Sequence, residues 1–455
     1  MSYFSLFKIR SFSAFVLTAA FCFGAIAGHA QSLPDARQIV GAVDPLLDDY
    51  KTLRQGSFNP LGNRPSGDVS LTQTETLSPT GGELDASFNV GIDSYPGNVR
   101  STVLQPDGKI LVAGYFRTVN AVRHKSIVRV NADYSLDSTF SANVNGTILA
   151  VALQPDGKII IGGAFLAVSG ASRNRIARLN ADGSLDTTFN PGIGVDGIVY
   201  DVAVQTDGKV LLGGSFFGVN STNSYAVARL NADGAVDASF VSPIPAPVPS
   251  PNPPFQIPSI VYSLAIQPDG KIVIAGYIIK SYANSPPAAA PVARLNPNGA
   301  FDLSFNPGSI NSNALKVVLQ PDGKILLAGF FTLINQDRRN FIARFNTDGS
   351  LDLSFNTGTG ANFPVNSIFV RADGKILIIG RFTNVNNIAR SGIAQLNADG
   401  SLDNSFVPPN TFAFGSPQSV IVLPSGKVFV GGSFGGFNFA SDSIKILNPD
   451  GSADT

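Results

Sequence analysis

The sequence has few of the residues that most often carry catalytic or metal chemistry. It contains one cysteine and two histidines, and its only glutamates are Glu75 and Glu83. Charged residues make up 14% and the formal net charge is zero, so neither nucleic acid nor an anionic membrane is indicated as a partner. The sequence is rich in glycine and phenylalanine, with 46 and 33 of them in 455 residues. This composition suits many short buried strands joined by tight turns.

The N-terminus has the pattern of an export signal. Lys8 and Arg10 precede an apolar run over residues 12–27, and small residues follow up to Ala30. This pattern predicts a signal peptide over residues 1–30 that is cut after Ala30, with an uncleaved membrane anchor as the alternative. We therefore expect a secreted, periplasmic or cell-surface protein with no membrane span after cleavage.

Cleavage would remove the only cysteine, Cys22, and would leave His124 as the only histidine. The mature chain could then form no disulfide, and a metal site with several histidines is excluded. A Ser-His-Asp arrangement would depend on His124 alone. Residues 31–80 are predicted to be a short helix and a linker, separate from a repeat domain over residues 81–455.

One pentad, Gln154-Pro155-Asp156-Gly157-Lys158, recurs along the chain with an apolar run behind it. Proline presets the first turn position and glycine supplies a left-handed residue, so the pentad predicts a hairpin with a three-residue loop. Copies or looser copies begin at Gln105, Gln205, Gln267, Gln320, Arg371 and Leu423. A period of about 50 residues predicts a solenoid, a propeller or an array.

A second motif, Leu185-Asp186-Thr187-Thr188-Phe189, closes each unit, and a further copy over residues 83–88 precedes the first complete unit. The chain stops where the last copy begins. We interpret residues 83–88 as the strand that closes a ring by completing the last unit. The predicted fold is all-β, a seven-bladed β-propeller of four-stranded antiparallel blades closed by an N-terminal strand, with six blades as the alternative.

In the second unit the four predicted strands cover residues 147–154, 158–165, 176–180 and 184–189. The three-residue loop 181–183 sets a register in which Arg178 faces Asp186, which predicts a cross-strand ion pair. Solvated charges on outer strands are the alternative. The same register pairs Arg129 with Asp137, Arg229 with Asp237, Arg294 with Asp302 and Arg344 with Asp352. Gln395 and Ile446 replace the arginine in the last two units.

Both motifs, in this order, resemble the delta-60 repeat family of exported bacterial propellers. The resemblance covers the chain from about Leu84 to the C-terminus and departs from the pattern at Ser425, Gln395, Ile446 and a proline-rich insertion. It implies an exported β-propeller without established catalytic chemistry.

No catalytic, cofactor or metal residues are assigned, and the protein is predicted not to be an enzyme. The stretch 180–186 has the oxygen ligands of a calcium loop, but it is too short for a twelve-residue loop and a β-turn explains it, so calcium is the alternative there. The aspartates outside the repeated motifs are assigned to irregular loops: Asp93, Asp196, Asp201, Asp337 and Asp442.

Function is predicted on the loops between the second and third strands and between units, because the tight turns all lie at the opposite end. The candidate binding residues are Arg123, His124, Arg173, Arg175, Asp196, Arg338, Arg339 and Arg390. The expected partner is an anionic or polyhydroxylated one, an envelope polysaccharide or a protein. The alternatives are scattered solubilising charge and a carbohydrate-active or other hydrolytic enzyme. The proline-rich loop 241–259 is predicted to be a stiff spacer or flap.

Overall fold

A computed structural model describes residues 97–119, 122–123, 126–249, 256–282, 285–409, 415–434 and 443–454. The predicted signal peptide, the extension 31–80 and the motif copy at 83–88 lie outside these residues. The chain divides into two compact units, Met1–Thr80 with Pro249–Ile257, and Gly81–Val248 with Pro258–Thr455. The sheets that follow belong to the second unit.

The described residues form seven three-stranded antiparallel sheets, and in each of them the second strand in the chain is central. The strands are Asn98–Leu104, Ile110–Tyr115 and Ile127–Val130 in sheet 1; Ile148–Leu153, Ile159–Gly163 and Ile176–Leu179 in sheet 2; Ile198–Val204, Val210–Ser215 and Val227–Leu230 in sheet 3; Ile260–Ile266, Ile272–Tyr282 and Ser285–Leu295 in sheet 4; Ala314–Leu319, Ile325–Gly329 and Ile342–Phe345 in sheet 5; Val365–Val370, Ile376–Gly380 and Ile393–Leu396 in sheet 6; Ser416–Val422, Val428–Ser433 and Ile444–Leu447 in sheet 7.

The recurring pentad forms the hairpin between the first and second strands. Gln154 N donates to Lys158 O at 2.8 Å and Gly157 N donates to Gln154 O at 3.0 Å. Gly157 has φ 82°, which glycine adopts without steric cost. The all-β, antiparallel repeat architecture is therefore confirmed, and the first three strands of sheet 2 lie within their predicted ranges.

The predicted fourth strand is wrong. Residues 184–189 make only the isolated bridge between Leu179 and Leu185, and a turn follows at once. Asp186 causes the turn, because its Oδ1 accepts hydrogen bonds from Thr188 N and Thr188 Oγ1 at 2.9 and 2.7 Å. An aspartate that captures the backbone two residues ahead competes with strand pairing. Each sheet consequently has three strands and one bridge.

Each central strand contains a glycine that packs closely against the backbone where the first strand begins. A Cβ on Gly163 would lie 2.2 Å from Thr147 O, so only glycine fits. The register shifts by one residue at this point, between Ile148 and Ala150 in sheet 2. The equivalent glycines are Gly114, Gly214, Gly276, Gly329, Gly380 and Gly432.

The hydrophobic core lies between successive sheets. Ala150 and Ile160 of sheet 2 pack with Val199, Val202 and Val210 of sheet 3. Each first strand contacts the first strands of the sheets before and after it, and the first strand of sheet 1 contacts that of sheet 7.

At the end of the sheets opposite the pentad turns, five sheets carry a two-residue hairpin between their second and third strands. The hairpin strands are Thr118–Val119 with Val122–Arg123, Ala167–Val168 with Ala171–Ser172, Gly218–Val219 with Thr222–Asn223, Leu333–Ile334 with Asp337–Arg338, and Asn384–Val385 with Ile388–Ala389. Both turn residues have positive φ in four of them, as at Asn220 and Ser221 with 46° and 62°, which defines a type I′ turn. In sheet 4 the second and third strands themselves continue to eleven residues each.

The proline-rich insertion begins as packed structure. Ile244 is buried and packs with Phe240, Leu264 and Ile278. Two short strands follow, Val248–Pro249 and Gln256–Ile257, and the residues between them lie outside the described part, so the predicted spacer or flap there stays a prediction. No helix in the described residues is long and apolar enough to cross a membrane.

Candidate functional site

The pentad end of each sheet, here called the turn side, carries a repeated cluster of charges around one aspartate. Arg178 Nε donates to Asp186 Oδ2 at 2.7 Å, the pair that the hairpin register predicts, and both side chains are buried. The other four predicted pairs have the same 2.7 Å distance: Arg129 with Asp137, Arg229 with Asp237, Arg294 with Asp302, and Arg344 with Asp352.

The arginine also joins its sheet to the next one. Arg178 NH1 donates to Ala232 O in the turn of sheet 3 at 2.6 Å, and NH2 donates to Thr188 Oγ1 at 3.0 Å. The guanidinium carbon lies 5.0 Å from the ring centroid of Phe189. One side chain therefore serves the ion pair, the phenylalanine of its own motif and the backbone of the neighbouring sheet.

The pentad lysine is a member of this cluster that sequence reasoning missed. Lys158 Nζ lies 2.9 Å from Asp186 Oδ2. Its recurrence in all seven pentads was the available signal. The equivalent pairs are Lys109 with Asp137, Lys209 with Asp237, Lys271 with Asp302, Lys324 with Asp352, Lys375 with Asp403, and Lys427 with Asp454.

The two units without the arginine also supply donors to their aspartate. In sheet 6, Gln395 Nε2 donates to Asp403 Oδ2 at 2.8 Å, and Gln395 Oε1 accepts from Arg371 NH1 at 3.0 Å. In sheet 7, where Ile446 replaces the arginine, Lys427 pairs with Asp454.

These contacts stabilise the ionised aspartate. Burial opposes ionisation of Asp137, but hydrogen bonds from Lys109, Thr139 and Arg129 outweigh it and hold the pKa well below its usual value. The pKa is lowered by the same kinds of contact at Asp186, Asp237, Asp302, Asp352 and Asp403.

The turn-side aspartates outside the ion pairs bind the backbone. Asp182 Oδ1 accepts from Ser184 N at 2.9 Å and Ser184 Oγ at 2.7 Å, and these bonds lower its pKa. In the stretch 180–186, considered above for calcium, Asp182 and Ser184 therefore bond each other and hold the turn. Within the described residues, no group of three or more His, Cys, Asp or Glu side chains could hold a metal ion.

The opposite end, here called the loop side, consists of the two-residue hairpins and the segments that lead into the first strands. This side has more regular hydrogen-bonded structure than the irregular loops that the sequence predicted. Asp196 Oδ1 accepts from Phe217 N and Gly218 N at 2.9 and 3.0 Å, which fixes the hairpin to the segment before sheet 3. Asn145, Asn311 and Asn362 make the same two bonds in sheets 2, 5 and 6. The asparagine-rich character of this side is therefore largely structural.

The predicted binding arginines on the loop side fall into two groups. Arg173, Arg339 and Arg390 occupy one repeated position, where the backbone N–H bonds the hairpin at 2.9 Å. Each has a buried Nε without a hydrogen-bond partner, and Arg390 is only 6% exposed. Arg175 and Arg338 lie elsewhere: Arg175 NH1 donates to Val195 O at 2.7 Å, and Arg338 is exposed.

The remaining predicted binding residues lie at the limit of the description. Arg123 ends a two-residue hairpin strand in sheet 1, but its side chain is not described, and His124 lies outside the described residues.

Burial lowers the pKa of Arg175, and the charge of Asp196 opposes this shift, so these two predicted residues interact.

Large apolar side chains are exposed on the loop side, and the sequence did not single them out. They are Leu166, Ile193, Phe217, Leu333, Phe363 and Ile388, with exposed fractions from 41% to 63%. Each lies in or beside a hairpin, or in a segment before a first strand. Periodicity could not reveal them, because these stretches are too short to show a pattern.

Asp201 does not lie in a loop, as the sequence suggested, but in the first strand of sheet 3. Its Oδ2 accepts hydrogen bonds from Ser263 Oγ and Leu264 N of sheet 4, both at 3.0 Å. Lys316 Nζ of sheet 5 lies 3.8 Å from the same oxygen. The carboxylate thus links three first strands.

The arrangement defines an all-β protein of antiparallel sheet repeats. Six segments match the family model described as "Domain of unknown function (DUF5122) beta-propeller": residues 105–140, 154–189, 205–240, 267–305, 320–355 and 371–406. The chain is therefore a β-propeller repeat protein. Each match runs from a pentad to the phenylalanine that closes the same unit.

No curated protein matches the chain. Among solved structures, a streptogramin B lyase is 13% identical, with a TM-score of 0.46 over 78% of this chain and 95% of that chain. PorZ, a bacterial surface component of the type-IX secretion system of Porphyromonas gingivalis, is 12% identical, with a TM-score of 0.38 over 77% of this chain and 46% of that chain. A protein of unknown function from Bacteroides caccae is 14% identical, with a TM-score of 0.32 over 61% and 87%.

Proposed function

We propose that the seven sheets are the blades of one closed β-propeller with repeats of the delta-60 type. Contacts between sheets 7 and 1 support closure, because they repeat contacts found between consecutive sheets. A Cβ on Gly431 of sheet 7 would meet Val99 of sheet 1, as one on Gly162 of sheet 2 would meet Val199 of sheet 3.

A hydrogen bond repeats in the same way. Thr102 N donates to Ser419 Oγ at 3.0 Å, as Leu264 N donates to Asp201 Oδ2 between sheets 3 and 4. Sheet 7 also has its own bridge, Leu447 with Ala453, and its own aspartate, Asp454. This arrangement supports closure by the side-by-side packing of the first strands.

The function we propose is an exported, non-catalytic scaffold that binds an envelope polysaccharide or protein through its loop side. The observation that carries it is the set of exposed apolar side chains there, of which Leu166 bonds the backbone of Arg173 and Leu333 pairs with Arg338. Exposed apolar and arginine side chains on a rigid scaffold favour binding, since aromatic residues and arginine are enriched at interfaces. Export rests on the pattern of residues 1–30.

A hydrolytic enzyme that uses loop aspartates is the alternative function. Asp196 and Asp201 each bind two N–H or O–H groups of neighbouring segments, which favours a positioning role for both carboxylates. Two carboxylates free to act as acid and base would be needed for glycoside hydrolysis. We therefore keep the binding function as the proposal.

A binding screen tests the loop-side proposal. The chain without residues 1–30 would be probed against peptidoglycan, envelope polysaccharides and envelope protein extract, at about 0.15 M and about 1 M salt. We expect binding that the double substitution Leu166→Ser with Phe217→Ser weakens by about tenfold or more, because both side chains are half-exposed.

The matched control is Leu303→Ser with Leu353→Ser, two exposed leucines of the repeated closing motif. This control should bind like the wild type. Equal loss in both double variants, or no binding to any envelope fraction, would contradict a partner site on the loop side.

A further inference from the structure

A one-residue bulge occurs at the same place in each first strand. In sheet 3 the pairing shifts between Val199 and Asp201, so that Tyr200 is the extra residue of a β-bulge. The same shift occurs in the other six sheets. A bulge redirects a side chain, and bulges are frequent next to ligand sites.

The glycine of each central strand that packs against the start of the first strand permits this bulge. A Cβ on Gly214 would lie 2.2 Å from Ile198 O, and one on Gly276 would lie 2.0 Å from Ile260 O. The bulges are therefore built into the repeat itself. They lie at the end of the first strand nearer the loop side, because the first strand begins there.

The bulge residues differ from sheet to sheet although the bulge does not. Sheets 2 to 5 carry Leu149, Tyr200, Tyr262 and Leu315, and sheets 6, 7 and 1 carry Asn366, Gln418 and Arg100. Four consecutive sheets thus present apolar or aromatic side chains, and the other three present hydrogen-bonding ones. Each of these residues is half-buried, whereas the residue before it, such as Val99 or Val261, is buried.

Contacts between neighbouring sheets bring two of these side chains together and join a third to the backbone of the next sheet. The rings of Tyr200 and Tyr262 have centroids 5.3 Å apart with an angle of 54° between their planes. Asn366 Nδ2 donates to Pro417 O, the residue before Gln418, at 3.2 Å. Because the first strands contact each other in sequence and sheet 1 contacts sheet 7, the seven positions follow one another around the inner edge of the sheets.

We propose that these bulge residues form a saccharide-binding site. The apolar face of a sugar ring would lie on Tyr200 and Tyr262, and its hydroxyl groups would bond Asn366, Gln418 and Arg100. Aromatic side chains combine apolar area with a polar tip, and amide and guanidinium groups both suit hydroxyl oxygens. A few polar groups opposite an apolar wall are typical of small-ligand sites.

A peptide is a less suitable occupant. The inner edge carries the only described carboxylate of the first strands, Asp201, already bonded to Ser263, Leu264 and Lys316. Extended peptides usually bind to an open strand edge through matched backbone bonds. A bulge interrupts that edge in every first strand here. The uncharged hydroxyl groups of a saccharide suit the amide side chains of Asn366 and Gln418 better than a peptide does.

The site is independent of the loop-side residues proposed above, and its test uses different substitutions. Chitotetraose, xylotetraose, mannotetraose and tetragalacturonate would be titrated up to about 10 mM into the chain without residues 1–30. Tyrosine emission can report binding, because the sequence has ten tyrosines and no tryptophan. Calorimetry would give the affinity.

We expect at least one tetrasaccharide to bind, and Tyr200→Ala with Tyr262→Ala to weaken its binding by about tenfold or more. Tyr200→Phe with Tyr262→Phe keeps both rings and should retain most of the affinity, which separates stacking from misfolding. The control Leu303→Ser with Leu353→Ser, which lies outside both proposed sites, should leave saccharide affinity unchanged. Binding of none of the four sugars, or equal binding by the alanine variant, would overturn the proposal.

Discussion

At the scale of single residues, Asp186 and its four equivalents in the units that keep the arginine combine three features. Oδ2 receives an arginine and a lysine, Oδ1 caps the following turn, and the carboxylate is almost completely buried. A buried charge with several charge-assisted bonds is costly to leave half-paired. This explains why aspartate, and not the longer glutamate, stands at the position in every unit.

Substitutions in this cluster should have unequal effects. Asp186→Ala leaves Arg178 and Lys158 without a counter-charge and removes the turn cap, so we expect a loss of about 3 kcal/mol in the free energy of unfolding. Arg178→Gln copies the pair Gln395 with Asp403 of sheet 6 and should cost only about 1 kcal/mol. Urea unfolding measures both. Equal losses of unfolding free energy in the two variants would contradict the larger cost expected when Arg178 and Lys158 lose the charge of Asp186.

At the scale of elements, the two glycines that end the central strand of sheet 2 have different neighbours. A Cβ on Gly163 would meet the carbonyl oxygen of Thr147, whereas one on Gly162 would meet the side chains of Val199 and Val202. Side chains can move aside, but a paired backbone cannot do so without breaking the bulge. Alanine occurs naturally at the position of Gly162 in three other sheets, as Ala113, Ala275 and Ala328.

Gly163→Ala should therefore destabilise the protein by about 2 to 3 kcal/mol, and Gly162→Ala by less. Thermal unfolding of the two variants side by side provides the comparison, since both substitutions have the same helix and strand propensities. A larger loss for Gly162→Ala would contradict a backbone role for the second glycine.

Elements were predictable from the sequence where one local rule acted alone. The pentad hairpins, the first three strands and the arginine–aspartate register follow from turn chemistry and strand periodicity. The fourth strand was wrong because Asp186 captures Thr188 N instead of continuing the ladder. The repeated glycine of the second strand, such as Gly214, was the available local signal for the bulge at Tyr200. The exposure of Phe217 depends on a two-residue hairpin, for which the single sequence contains no local signal.

At the scale of the whole molecule, one ionic cluster is repeated from sheet to sheet and links consecutive sheets. Arg178, Arg229 and Arg344 each donate NH1 to a backbone carbonyl in the turn of the following sheet. Loss of the aspartate charges would therefore loosen contacts within sheets and between them together. Acid is the condition that removes all these charges at once.

The protein should lose stability steeply in acid. The pKa of six of these aspartates lies below its value in the unfolded chain, so their contribution is complete above the unfolded pKa of about 3.9 and is lost as the pH falls. Each carboxylate adds up to about 1.4 kcal/mol per pH unit to the slope. Urea midpoints measured between about pH 6 and pH 2 should fall steeply below about pH 4. The variant with Asp186→Ala should show a shallower decline than the wild type. A midpoint that stays constant down to about pH 2.5 would contradict the ionic clusters as a main source of stability.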